Sequence, residues 1–169
     1  MTTEQTTQSQ RVALAEKAAS NLLDSVQFDL PPVDAHRIAI QSNLDVTFRQ
    51  FDAELSDWAS FLDARGSRGN IIISADLSQD YKNFAIAYEL GRNIFFHDKI
   101  RRDTGVIYGR KFQTKIRKDD EDDELLILFA SFLLVPHSFI KYLLTIDESY
   151  FMVPKELLEV RYGAHRIAA

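Results

Sequence analysis

The run Asn83-Phe84-Ala85-Ile86-Ala87-Tyr88-Glu89-Leu90-Gly91-Arg92-Asn93-Ile94-Phe95-Phe96-His97 constrains the fold more than any other stretch of the chain. Its apolar residues recur at helical spacing, and Phe84, Ala87, Tyr88, Gly91, Ile94 and Phe95 fall on one stripe. Ser78 supplies an N-cap, so a helix is expected from there to about His97. Gly91 inside a helix costs about 1 kcal/mol relative to Ala. That cost is tolerated where a neighbouring backbone or side chain has to come close. Glu89 and Arg92 stand three residues apart, the spacing of an ion pair on a helix surface.

The rest of the pattern surrounds this helix with short elements. Residues 1–10 are polar and read as a disordered tail, leaving 11–169 as a single domain, a length that suits one compact core. Val12, Leu14, Ala15, Ala18, Leu22 and Leu23 predict a helix that ends before Pro31-Pro32. A short helix follows Asp34, and Leu44–Phe48 alternates as a strand. Strands over Ala59–Ala64 and Asn70–Ala75 flank the turn-rich Arg65-Gly66-Ser67-Arg68-Gly69, which predicts a hairpin. Further helices are expected over Asp123–Leu134, stopped by Pro136, over Ser138–Leu144, and from Pro154 to Tyr162. Together these predict an α+β fold, a small antiparallel sheet packed on a helical bundle, which the likeness of the Glu89 helix to a zinc peptidase helix implies is zincin-like.

A zinc peptidase helix of the His-Glu-x-x-His type sets two histidines on adjacent turns with the glutamate beside them as general base. In this chain the two ligand positions are Tyr88 and Arg92, and only Glu89 remains. Glu89 and His97 are eight residues apart, about 12 Å along a helix, too far to share one ion. His36, His137 and His165 show no ligand spacing. The absence of cysteine excludes disulfides and thiolate metal sites. The expectation is no metal, no cofactor and no catalytic residue, with Glu89 as a relic of a general base.

The same residues resemble the ImmA/IrrE family of metallopeptidases. Asn83–Arg92 matches the family's Arg-Phe-Thr-Ile-Ala-His-Glu-Leu-Gly-His pattern apart from the ligands, and His97 matches its trailing histidine. Pro32-Val33-Asp34 with Arg37-Ile38-Ala39, the strand Asn70–Ser74, Phe129–Pro136 and Val153–Tyr162 resemble further landmarks in the family's order, covering about residues 10 to 163. The resemblance places the third metal ligand at Leu125, with Glu124 one residue, or about 100° of helix, away. Tyr88, Arg92 and Leu125 are thus degenerate metal positions. The guanidinium of Arg92 either pairs with Glu89 on the exposed helix surface or occupies the vacated site, where it would join Glu89 and Glu124 in one polar cluster. Tyr88 reads as a core aromatic, and His97 as a helix-end residue suited to the dipole.

What the resemblance implies is a bacterial pseudo-peptidase that binds a helix-turn-helix repressor of a phage, mobile element or stress response without cutting it, as an antirepressor. A toxin–antitoxin component and an active peptidase with an unusual site are the alternatives. The partner is expected along a sheet edge at Asn70–Ala75, with Ile73 and Asn93 facing the groove.

Charge and hydropathy limit the other classes. The formal charge of −5 gives no bulk attraction to nucleic acid or to an anionic membrane. No stretch approaches the roughly 20 apolar residues of a membrane span. The first ten residues lack the pattern of a signal peptide, so a cytoplasmic protein is expected. Lys99–Lys118 is basic, but the acidic run Asp119–Glu124 follows at once. The segment therefore reads as a solvated connection, and direct nucleic-acid binding is not expected.

Overall fold

The computed structural model describes residues 7–26, 28, 31–65, 68–102, 108–111, 121–142 and 148–168. The first helix, α1, spans Gln8–Ser25. It begins within the expected tail because Thr7 and Gln10 form a capping box: the Gln10 N–H donates to the Thr7 hydroxyl, and the Thr7 N–H donates to Gln10 Oε1 at 2.8 Å. The remainder of that tail, residues 1–6, lies outside the described residues. Asp34 caps α2, Ala35–Gln41, by accepting from the His36 and Arg37 N–H groups.

Four strands follow, three of them before the central helical segment: β1 Leu44–Arg49, β2 Trp58–Asp63, β3 Gly69–Ser74 and, later, β4 Tyr108–Lys111. Their order is β1-β3-β2-β4. The expected hairpin forms, with Ser60 opposite Ile73 and Asp63 opposite Asn70. β4 joins the other side of β2, also antiparallel. The expectation of an antiparallel sheet fails at β1, which pairs in parallel with β3 from Leu44↔Gly69 to Arg49↔Ser74. Residues 50–57 between β1 and β2 are long enough to cross two strand spacings of about 4.8 Å each. That leaves room for β3 to return between them, running the same way as β1. The fold class is α+β with a mixed sheet.

α3 spans Gln79–Arg102 and departs from helical geometry at Phe96, one residue before the expected end. α4, Glu121–Leu134, is buried from Asp123 onward on every side, as befits a helix that is apolar all round. It packs against α1, α3 and α5. Past α4 the chain forms a 3₁₀ turn at His137–Tyr142, where an α-helix over Ser138–Leu144 was expected, and a second at Glu148–Phe151; residues 143 and 144 lie outside the described residues. Pro136, with no N–H to donate, ends the α-helical ladder. α5, Lys155–Ala168, runs six residues beyond Tyr162.

Two buried polar side chains tie these elements together. Asn83 of α3 accepts from the Ala35 N–H at 2.9 Å and donates to the Val33 carbonyl at 2.9 Å, fixing α2 on α3. Arg161 of α5 is fully buried and donates through Nε to the Val135 carbonyl at 3.0 Å. Its guanidinium stacks 4.1 Å over the Phe132 ring. Burial pushes its pKa down to about 10. Gly91 answers the question its sequence position raised. A Cβ there would lie 2.7 Å from Phe129 Cδ1, so α3 meets α4 at a distance only glycine permits.

Candidate functional site

α3 carries Tyr88, Glu89 and Arg92 beneath β2, with α4 alongside and β4 on the far side of β2. Glu89 has no exposed surface. A buried carboxylate needs partners to offset its lost hydration, and it has two. Ser60 of β2 donates to Oε1 at 2.6 Å, and Arg92 donates through Nε to Oε2 at 2.8 Å. The Arg92 side chain is 14% exposed, which makes this a buried pair rather than a surface one. Burial pushes the Glu89 pKa up. Arg92 and the Ser60 hydroxyl pull it back without cancelling that effect. Burial works against the Arg92 charge, and the Glu89 carboxylate outweighs it, leaving the guanidinium pKa raised.

A second pair stands beside the first. The Tyr88 hydroxyl donates to Asp123 Oδ1 of α4, and Arg110 of β4 binds the same oxygen. The Arg110 guanidinium lies 4.6 Å from the centre of the Tyr88 ring, and that of Arg92 lies 5.1 Å from it. The phenol is therefore flanked by two cations. Burial is the main cause that raises the Tyr88 pKa, and Asp123 adds to it. Four elements thus meet in one closed network of Ser60, Tyr88, Glu89, Arg92, Arg110 and Asp123. Tyr88 is buried, as expected of a core aromatic, and it also bridges helices through its hydroxyl.

The structure brings Glu89 and Arg92 together but places Glu124 elsewhere. Glu124 points to α1, where Arg11 Nη2 binds it at 3.0 Å. The carboxylate facing the α3 positions is Asp123, one helical step away, which the sequence reading passed over inside the run Asp119–Glu124. Leu125 is a buried core residue. His97 is exposed, its Nδ1 3.4 Å from Asn93 Oδ1.

The expected groove does not form along β3. β3 is an interior strand with β1 on one side and β2 on the other, so Asn70–Ser74 offers no free edge. Ile73 has no exposed surface, because its alternation with Ile71 turns both into the core. Asn93 is half-buried. The outer strands are β1 and β4. Most of the basic segment Lys99–Lys118 lies outside the described residues. Of the part that is described, residues 99–102 end α3, and β4 uses Arg110 to close the network.

Among the described residues no three His, Asp or Glu side chains are grouped to hold a metal ion. No helix among them is long and apolar enough to cross a membrane. No protein-family model matches the chain, and no curated protein matches it.

Proposed function

We propose that this chain is a pseudo-peptidase, a protein with the layout of a zinc peptidase in which an internal ion-pair network occupies the place of the metal. Its particular role, on this reading, is that of an ImmA/IrrE-like antirepressor. It binds a helix-turn-helix regulator of a phage, mobile element or stress response and modulates it without cleavage.

One observation carries the reading. The two residues that would be metal ligands on such a helix are Tyr88 and Arg92, and the Arg92 guanidinium is bonded to the carboxylate that would be the general base. A carboxylate held between a guanidinium and a hydroxyl has both oxygens engaged, and Glu89 has no exposed surface through which to meet bulk water. The opposing carboxylate, Asp123, is likewise engaged by Tyr88 and Arg110. The network holds α3, α4, β2 and β4 together as a bound metal would, and the outer surface remains for recognition.

With β3 internal, a partner strand has β1 as an open edge, where Phe48 is 43% exposed, and Ile40 of α2, the helix packed on β1, is also 43% exposed. The test is a titration of a helix-turn-helix regulator co-purified with the protein from its host. Loss of operator binding should saturate near one protein per regulator, with the regulator intact on a gel. Glu89→Gln should act as well as the wild type, and Phe48→Asp should act at least tenfold more weakly. Cleaved regulator at substoichiometric protein overturns the reading.

A further inference from the structure

α1 and α4 run parallel. Arg11 near the start of α1 reaches Glu121 and Glu124 near the start of α4. At the other end, Leu23 and Asp24 share a cavity with residues just past α4. The cavity measures about 410 Å³, within the size range of small organic ligand sites. Its apolar walls include the rings of Phe28 and Phe139. Among the described residues, its polar groups are two serine hydroxyls, the exposed imidazole of His137 and the carboxylate of Asp24, and no Lys or Arg of that set lines it.

The electrostatics of the two helix ends differ. The end of α4 is answered by a cation of the chain itself, since Arg161 donates to the Val135 carbonyl. α1 has no basic residue in its last turn. Asp24 stands in that turn instead, where the negative end of the helix dipole disfavours an anion. Its side chain makes no hydrogen bond or ion pair among the described residues. Helix stability does not explain an acid at this position. A carboxylate at a helix C-terminus and two aromatic rings, all lining one cavity, form an environment complementary to a cation with an apolar stem.

We propose that this cavity binds an alkylguanidinium or alkylammonium group, with its charge on Asp24 and its stem against Phe28 and Phe139. Free amines and the Arg or Lys side chains of a protein partner present the same chemistry. The site is separate from the α3 network and does not depend on the reading of that network.

The experiment titrates the full chain with n-butylguanidine and with n-butylurea, its uncharged analogue of the same shape, and follows amide resonances. Butylguanidine should give saturable shifts at Asp24 and Ser138, and butylurea should bind at least tenfold more weakly. Asp24→Asn should weaken butylguanidine at least tenfold while its melting temperature stays the same or rises, because an anion leaves the helix C-terminus. Phe139→Leu should weaken binding several-fold. An arginine-containing tripeptide that binds more tightly than butylguanidine assigns the site to a protein side chain, and equal or weaker binding assigns it to a free amine. No saturable shift, equal binding of butylurea, or unchanged binding in Asp24→Asn overturns the proposal.

Discussion

Arg92 Nε donates to Glu89 Oε2 at 2.8 Å, one turn along α3, while the other Glu89 oxygen accepts from Ser60 at 2.6 Å. The carboxylate has no exposed surface, so these two groups are its main compensation for lost hydration, with Arg110 adding a smaller electrostatic contribution. Removing one partner of a buried pair leaves the other uncompensated, at about 3–5 kcal/mol. Arg92→Ala should cost that much in urea denaturation. Adding Glu89→Gln to it should recover part of the loss, because the charge to be compensated is gone. A loss under about 1 kcal/mol is the behaviour of an exposed pair and would contradict this geometry.

The raised pKa of Glu89 has a pH signature of its own. The folded state holds the Glu89 proton more tightly than the unfolded chain does. Its contribution to stability is therefore full below the usual carboxylate range and is lost as pH rises toward the folded value. Ordinary paired carboxylates behave in the opposite way. Glu89→Gln cannot titrate. Compared by urea midpoints from pH 4 to pH 7, the variant should gain on the wild type as pH increases. A variant that keeps a constant difference from the wild type, or loses ground to it as pH rises, would mean that Glu89 is not held above its ordinary value.

Gly91 reports on the contact between α3 and α4. Helix propensity alone favours Gly91→Ala by about 1 kcal/mol. The added Cβ would stand 2.7 Å from Phe129 Cδ1 and 3.3 Å from Leu126 Cδ2, both in buried side chains with little room to move. Overpacking of this kind typically costs about 1–3 kcal/mol, so the variant should melt lower than the wild type. Phe129→Leu in the same chain should restore part of the difference. An increase in stability for Gly91→Ala alone would show that the two helices separate freely.

The elements were legible where the signal was local. The stripe on α3, the Asp34 cap, the Pro136 stop and the hairpin turn each act within a few residues, and each produced the expected element. Gly91 was legible too, since an interior glycine implies a close approach. Pairing across the chain was not. Nothing in Leu44–Phe48 says whether β1 lies beside β2 or beside β3, and that choice decides which strand is the free edge. The partner of Glu89 followed from i,i+3 spacing. The identity of the facing carboxylate did not, because in a run of six acids a single helical step exchanges Asp123 for Glu124. Arg110 was unreadable as a site residue for the same reason: it arrives from β4 through strand pairing, within a segment whose basic composition suggested only solvation.

The facing carboxylate also supplies the test of whether this network stands in a metal's place. The Tyr88 hydroxyl reaches Asp123 directly. A histidine at position 88 would fall short of Asp123 by a gap suited to an ion with bonds of about 2.1 Å to each side. Arg92→His would supply a second imidazole one turn on, and Arg110→Ala would free the Asp123 oxygen that Arg110 now holds. The triple variant Tyr88→His/Arg92→His/Arg110→Ala should bind about one zinc per chain, with the melting temperature rising on saturation. The choice of third ligand gives the sharper reading. Adding Asp123→Ala should abolish zinc binding, and adding Glu124→Ala should leave it intact, because Glu124 is turned to Arg11. Dependence on Glu124 instead would place α4 in a different rotation against α3. A folded triple variant with no zinc affinity would remove the ground for regarding Tyr88 and Arg92 as substituted ligands.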